Sequence, residues 1–511
     1  MMIGKLLDVA LEDKYEKTEG RIYVNGTQAL ARLPLLQKRR DMRAGLNTAG
    51  YVSGYRGSPL GSLDQALAQA KRHTDGHDIV VRPGVNEDLA ATAVWGTQQV
   101  DTFGGAKYDG VFAMWYGKGP GVDRSGDVFK HANAAGSSRH GGVLVIAGDD
   151  HAAKSSTLPH QSDYAFVDAG IPILSPAGIQ EFSEFGVLGW ELSRYSGCWV
   201  AFKALTSAIE SSASIDAADG LSRAVVAPGD FELPPGGLNL RTTDDWWTPE
   251  ARLYDYKLPA AQAFVRANGI DRIVLDAGSS SRLGILTAGK AYLDVMDALR
   301  HLGLDADGAA RLGLRVLKLG MVWPIEPQIL RRFAQGLEEI LVIEEKRPLI
   351  EEQAKAELFN HPGRMRLVGK TDEEGRPLLP VLGELDPLRV AIAIGRRLKA
   401  LGVADDALAR RLERCEAQAG ESRTLAPETF KRPPHYCSGC PHNTSTVVPT
   451  GSKAAAGIGC HIMARLMERD TEGFTQMGGE GAQWVGMAPF TETRHLFQNL
   501  GDGTYFHSGL L

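Results

Sequence analysis

"YVSGYRGSPLGSLDQAL", residues 51–67, decides how the rest of the chain is read. An apolar run enters a turn made of Gly54, Gly57, Ser58, Pro59 and Gly61, and a helical pattern starts at once. Strand, glycine-rich turn and helix form the repeating unit of a parallel sheet, because parallel strands need a crossover and a helix supplies it. The same alternation continues outward through residues 48–205. Candidate strands are "AGYVSGY", "DIVVRPG", "GVFAMWY", "GGVLVIAGDD", "IPILSP" and "CWVAFKAL". Between them lie helical stretches such as "SLDQALAQAKRH" and "NEDLAATAVWGTQQVDTF". The expected class is α/β, with mostly parallel, doubly wound sheets covered on both faces.

Residues 225–257 are rich in Pro and Gly and read as a linker. A second α/β unit follows, with strands expected at "DRIVLDAGSS", "LRVLKLG" and "EEILVIEEK". Helical patterns are read at "GILTAGKAYLDVMDALRHLG" and "EPQILRRFAQGL". Residues 400–432 are charged and mostly helical, and "KRPP" marks another boundary before the last 79 residues.

Composition narrows the classes. A chain of 511 residues with 43% apolar and 23% charged residues is an ordinary globular protein of two to four domains. A net charge of −6 argues against nucleic-acid binding. No apolar run approaches the length of a membrane span, and the first residues lack a signal-peptide pattern, so a cytoplasmic location is expected. Five cysteines are too few for a disulfide scaffold, but three of them fall within 24 residues.

Those three, Cys437, Cys440 and Cys460, sit in "CSGCPHN" and "GIGCH" as a C-x2-C-x19-C pattern. A C-x2-C turn, shaped here by Gly439 and Pro441, lets two thiolates reach one metal centre. Zinc and an iron–sulfur cluster both fit, and His442 or His461 could add a ligand, more naturally to zinc. Gly501-Asp502-Gly503, after the strand-like "HLFQNL", suits a Mg²⁺ that neutralises a diphosphate; a surface turn is the bland alternative. The turn at Gly57, Ser58 and Pro59 and the helix start at Asn86 and Glu87 follow two separate strands. Glu87 read alone is a first-turn acid favoured by the helix dipole. "MGGEG", with Gly478, Gly479 and Glu480, can let a cofactor approach the backbone. Finally, "AGDDHAAKSSTLPHQSD" puts Asp149, Asp150, His151, Ser155 and Ser156 just after a strand, as a ligand loop or an internally satisfied one.

Taken together and in this order, these motifs resemble the 2-oxoacid:ferredoxin oxidoreductases, and among them the large fused bacterial indolepyruvate ferredoxin oxidoreductases. "GYRGSP" is similar to the family's G-Y-P-G-[ST]-P turn, with Arg56 replacing a proline. The resemblance implies thiamine-diphosphate-binding, transketolase-like domains. Residues 1–230 would form the aminopyrimidine-side domain, 231–260 a linker, 261–400 a transketolase C-terminal-like domain and 401–432 a charged helical linker. Residues 433–511 would begin the diphosphate-binding and iron–sulfur domain. Glu87 would hydrogen-bond the aminopyrimidine of thiamine diphosphate and Ser58 would sit near the 2-oxoacid. Gly57, Pro59, Gly478, Gly479, Glu480, Gly501 and Gly503 would line the cofactor, and Asp502 would bind its Mg²⁺. Cys437, Cys440 and Cys460 would hold a [4Fe–4S] cluster. The implied reaction is oxidative decarboxylation of an aryl 2-oxoacid such as indolepyruvate. Coenzyme A would be the co-substrate and ferredoxin the electron acceptor, in a homodimer with no nucleic-acid or membrane partner.

In the family, a second Mg²⁺ ligand and a fourth cluster cysteine lie beyond the Gly-Asp-Gly. The sequence is therefore expected to be the front part of a longer protein, with its last domain incomplete. "HLFQNL" is expected to lack strand neighbours and the 511-residue chain to be inactive alone. The rival readings are a non-catalytic module with a zinc-clipped tail, a related oxidoreductase for another 2-oxoacid, and a non-oxidative thiamine-diphosphate enzyme, which would not use the cysteines.

Overall fold

Alternating apolar runs and helical patterns become alternating strands and helices in the computed structural model, which describes residues 9–242, 244–363, 365–424 and 433–509. Two units separate, Met1–Arg423 and Thr424–Leu511. In the first, a short helix Asp13–Glu16 precedes β1 (Arg21–Asn25) and the helix Gly26–Arg43, whose start is closed by a reciprocal capping box between Asn25 and Gln28. Then come β2 (Thr48–Gly54), β3 (Ile79–Val81), β4 (Gly110–Lys118), β5 (Val143–Asp149), β6 (Ile173–Leu174) and β7 (Val200–Leu205). These six are parallel, in the order β6-β7-β5-β4-β2-β3. β8 (Ser212–Asp216) returns to pair antiparallel with β1.

The period of two places side chains in two cores. Along β4, Phe112, Met114 and Tyr116 enter one apolar cluster while Ala113 and Trp115 enter another. β5 divides in the same way, Leu144 and Ile146 against Val143, Val145 and Ala147. Both faces of this sheet are therefore covered, as the continuous apolar runs imply.

Further along the chain, a second sheet contains β9 (Arg272–Asp276), β10 (Leu283–Ala288) and β11 (Leu314–Leu319). β12 (Met321–Trp323) leaves it to pair antiparallel with β6 of the first sheet. β13 (Glu339–Ile343) and β14 (Arg366–Val368) complete the order β14-β13-β10-β11-β9. One expectation changes here. Residues 283–288, most of them read as the start of a helix, form the central strand β10; the helix is Gly289–His301. β9 runs antiparallel to β11 at the sheet's edge. The stretch read as a linker also ends in structure. The helix Thr248–Arg252 lies in it, and buried Lys257 donates to the carbonyls of Asn133 and Ala134.

The second unit contains β15 (Ala454–Ala456), β16 (Thr471–Phe474) and β17 (Phe497–Gln498), all parallel in the order β16-β15-β17. "HLFQNL" thus has a neighbour, contrary to expectation, because β15 accepts β17 on one side and β16 on the other. Residues 425–432, inside the stretch read as a charged helical connection, lie outside the described residues; its first part is the helix Asp406–Thr424. Among the described residues, no helix is long and apolar enough to cross a membrane.

Candidate functional site

In the first unit, the expected catalytic residues gather where β2, β4 and β5 end. Glu87 is the first residue of the helix Glu87–Gln98 and is buried. Asn86 caps that helix, its side chain accepting from the Leu89 amide at 3.1 Å. The Trp115 indole donates to the Glu87 carbonyl at 3.0 Å, fixing the turn to β4. The Glu87 side chain lies on Gly121, where a Cβ would come 2.6 Å from Cγ and 2.9 Å from Oε1. That glycine belongs to the helix Gly119–Arg124, which follows β4 directly.

Ser58 is partly exposed in the turn after β2, and its hydroxyl stands 2.5 Å from that of Ser155. Ser155 comes from the loop after β5, and this loop is shaped by Asp150, whose carboxylate accepts from the amides of Lys154 (3.1 Å) and Ser155 (2.9 Å). Burial works to raise the Asp150 pKa, but these bonds prevail and hold it below the usual value. Lys118, the last residue of β4, lies against Gly57; a Cβ there would meet Lys118 Cδ at 2.6 Å. Burial lowers the Lys118 ammonium below the ordinary lysine range, against the pull of the Asp150 and Glu87 charges. Pro59 is buried beside Gly148 of β5. Ser58, Ser155, Asp150, Lys118 and Glu87 thus occupy one end of the sheet, the end at which doubly wound folds take ligands. Sequence reading did not single out Lys118 or Gly121; its available signal was a lysine ending a strand just before "GPG".

In the second unit, three glycine-rich loops leave the same end of three parallel strands: "GIGCH" after β15, "MGGEG" after β16 and the Gly501–Gly503 turn after β17. Their side chains tie them together. The Glu480 carboxylate accepts from the amides of Gly478 (2.6 Å) and Ile458 (3.4 Å), bracing the first two loops. Thr504 donates to the Ile458 carbonyl at 3.3 Å, bracing the first to the third. Gly479 sits in this turn, its amide bonded to the Gln476 carbonyl at 3.1 Å. Asp502 is exposed, and nothing lies within 4 Å of where a Cβ on Gly503 would stand.

Cys437 and Cys440 flank a tight turn closed by the Cys440 amide on the Cys437 carbonyl at 3.0 Å, with Gly439 at φ 76. The Asn443 side chain donates to both cysteine carbonyls and fixes the turn. Cys437 and Cys460 are exposed and Cys440 is partly so; all three are free thiols. Among the described residues, no three of these sulfurs and the His442 and His461 nitrogens lie within 4.8 Å of one another. Thiolates around one zinc stand about 3.8 Å apart for bonds of ~2.3 Å. His461 is fully buried, and burial together with the His442 charge holds its pKa down at about 4.

These features fit the implied groups. Open glycine positions and an exposed Asp502 suit a diphosphate with its Mg²⁺, and three accessible thiols suit a cluster.

Comparison with known proteins agrees with the motifs. A family model for the indolepyruvate oxidoreductase domain matches residues 273–421. The indolepyruvate oxidoreductase subunit IorA of Pyrococcus horikoshii is 24% identical over 99% of this chain and 73% of its own length. That of Methanothermobacter thermautotrophicus is 26% identical over 94% of this chain and 72% of its own. Among solved structures, the 2-oxoglutarate:ferredoxin oxidoreductase of Magnetococcus marinus, determined with 2-oxoglutarate, coenzyme A and succinyl-CoA bound, matches with a TM-score of 0.53. The match covers 74% of this chain and 66% of that one at 14% identity, which makes it a likeness of fold. In sequence the chain resembles, over nearly its whole length, the indolepyruvate oxidoreductase subunits IorA, and in fold it resembles a 2-oxoacid:ferredoxin oxidoreductase.

Proposed function

We propose that the chain serves a thiamine-diphosphate-dependent oxidative decarboxylation of an aryl 2-oxoacid such as indolepyruvate. Coenzyme A takes the acyl group and ferredoxin the electrons, and the working form is a homodimer. The observation that carries this reading is the convergence of "GIGCH", "MGGEG" and Gly501-Asp502-Gly503 at one end of three parallel strands. Thiamine diphosphate, when bound, supplies an electron sink for loss of CO₂ from a 2-oxoacid, and a [4Fe–4S] cluster supplies a one-electron acceptor.

The chain's own residues have separable tasks. Asp502 holds Mg²⁺, and Gly478, Gly479, Gly501 and Gly503 let the backbone approach a diphosphate. Glu480 keeps two of the loops in register. Cys437, Cys440 and Cys460, all accessible to some degree and none in a disulfide, are cluster ligands. In the first unit, Glu87 would hold a proton against the aminopyrimidine ring. Gly57 and Pro59 shape the turn that presents Ser58, which with Ser155 offers hydroxyls to the 2-oxoacid.

The test is anaerobic reconstitution with iron, sulfide, Mg²⁺ and thiamine diphosphate, followed by coenzyme A-dependent reduction of a viologen dye with indolepyruvate, phenylpyruvate, pyruvate or 2-oxoglutarate. Activity greatest with the aryl acids is expected, and it would correct the expectation from sequence that the chain is inactive alone. Glu87→Gln should lower turnover at least ~10²-fold while thiamine diphosphate remains bound. Zinc without iron in the purified protein, or full turnover in the Gln variant, would count against the assignment.

A further inference from the structure

His160 lies near the end of the loop that carries Asp150 and Ser155, and the reading above gives it no task. Its amide bonds back to the Asp150 carbonyl at 3.4 Å, so the two residues close the loop between them. The imidazole crosses to the helix Gly119–Arg124. There Nε2–H donates to Asp123 Oδ2 at 2.8 Å, and the ring covers Gly119, where a Cβ would come 2.1 Å from Cδ2. Nδ1 is buried with no partner among the described residues. An apolar ring would cover Gly119 without leaving an acceptor unpaired, so what the histidine adds is the bond to Asp123.

The helix it grips is the wall of the Glu87 site. Gly121 lies under the Glu87 side chain, with 2.6 Å between an added Cβ and Cγ. Arg124 Nε donates to Asp88 Oδ1 at 2.9 Å, on the helix that Glu87 begins. Val122 is buried in one apolar cluster with Ala90 and Ala91 of that helix. Gly119–Arg124 is therefore fastened along one side to the Glu87 helix, and the bond from His160 ties its other side to the Ser155 loop. A helix of six residues is too short to hold itself, so such contacts set its place.

We infer that His160 is a positioning residue: through Asp123 it fixes the helix Gly119–Arg124, and with it the Glu87 carboxylate, relative to the loop that presents Ser155. The inference rests on the thiamine-diphosphate reading given above, in which Glu87 faces the aminopyrimidine. A displacement near 1 Å at a reacting group can cost on the order of 10²-fold in rate. A clamp of this kind acts on proton removal and leaves affinity for the cofactor in place.

The experiment uses the reconstituted full chain and three variants. His160→Phe keeps a ring over Gly119 and loses the bond. Asp123→Ala loses the same bond at a side chain that is 60% exposed, and leaves the ring untouched. Asp123→Asn keeps an acceptor for Nε2–H. The readout is exchange of the C2 proton of bound thiamine diphosphate for deuterium, followed by NMR after acid quenching. Calorimetry gives the affinity for the cofactor on the same samples. Exchange is expected to slow at least ~10-fold in the Phe and Ala variants and to stay near the wild-type rate in the Asn variant, with the dissociation constant unchanged in all three. Without cofactor, the backbone amides of residues 119–124 should exchange faster in the Phe and Ala variants, and unchanged protection there overturns the inference. If the Phe variant does not fold, Asp123→Ala gives the same reading. Wild-type C2 exchange in the Ala variant overturns the inference alone, as does loss of cofactor binding in step with C2 exchange. A wild-type enzyme that binds no thiamine diphosphate overturns the functional reading, and this inference with it.

Discussion

The carboxylate of Glu87 rests on a residue that has no side chain, and that contact governs where the carboxylate points. A methyl group on Gly121 would stand 2.6 Å from Glu87 Cγ, an atom too near the backbone to swing aside without moving the carboxylate. Gly121→Ala should therefore act on catalysis more than on folding, since a displacement near 1 Å at a reacting group can cost on the order of 10²-fold. The expected outcome is a fall of that order in kcat/KM with the melting temperature within a few degrees of wild type. Unchanged kcat/KM would show that Glu87 has room to spare. At this scale the sequence identified residue types but not meetings. Ser58 and Glu87 were legible because each follows a strand at a helix start. The Ser58–Ser155 contact joins residues 97 positions apart, and only the strand order brings them together.

Elements show where periodicity runs out. Residues 283–288 are buried at every position, so β10 has no polar face to alternate with. A short run of that kind cannot be told from a buried helix by pattern alone, and here it leads straight into a real helix at Gly289. β1 and β8 escaped notice because their partners are about two hundred residues apart in the chain and each alone is short. The passage from β11 to β12 carries a measurable consequence. Asp271 Oδ1 accepts from the amides of Gly320 (2.7 Å) and Met321 (3.1 Å), while Oδ2 is buried with no partner among the described residues. Burial, with the Glu326 charge adding to it, raises the Asp271 pKa from 3.8 to about 7. Between those values the folded state holds a proton that the unfolded chain has released. Stability then falls as pH rises through that window, by at most about 1.4 kcal/mol per pH unit. Asp271→Asn retains an acceptor for the two amides and cannot ionise. Denaturant titrations from pH 4 to 8 should show that decline in wild type and a flatter profile in the variant, with the variant the more stable at pH 8. Parallel profiles would mean that Asp271 is ionised throughout.

Across the first unit as a whole, the two sheets share a core. Leu286, Leu317 and Val342 from the second belong to the same apolar cluster as Trp115, Val145 and Ile173 from the first. β12 crosses over to extend the first sheet beside β6. At the same seam, Lys203 binds Asp163 at 2.6 Å, and Lys346 donates to the His151 carbonyl at 3.0 Å, both within buried surroundings. The sequence announced two α/β units separated by a Pro- and Gly-rich stretch, which suggests independent folding. A shared core argues instead for one cooperative unit, since neither sheet can open without exposing the other's buried face. Leu286→Ala, in the centre of β10, removes a fully buried side chain and should cost about 2–5 kcal/mol. If the two sheets unfold together, native-state hydrogen exchange should lose protection in β5 by the same amount as in β10, although no β5 residue has been changed. The same variant should still unfold in one calorimetric transition for residues 9–423. Protection lost in β10, β11 and β13 alone, with β5 unmoved, would show that the second sheet opens by itself and that the common cluster is contact without coupling.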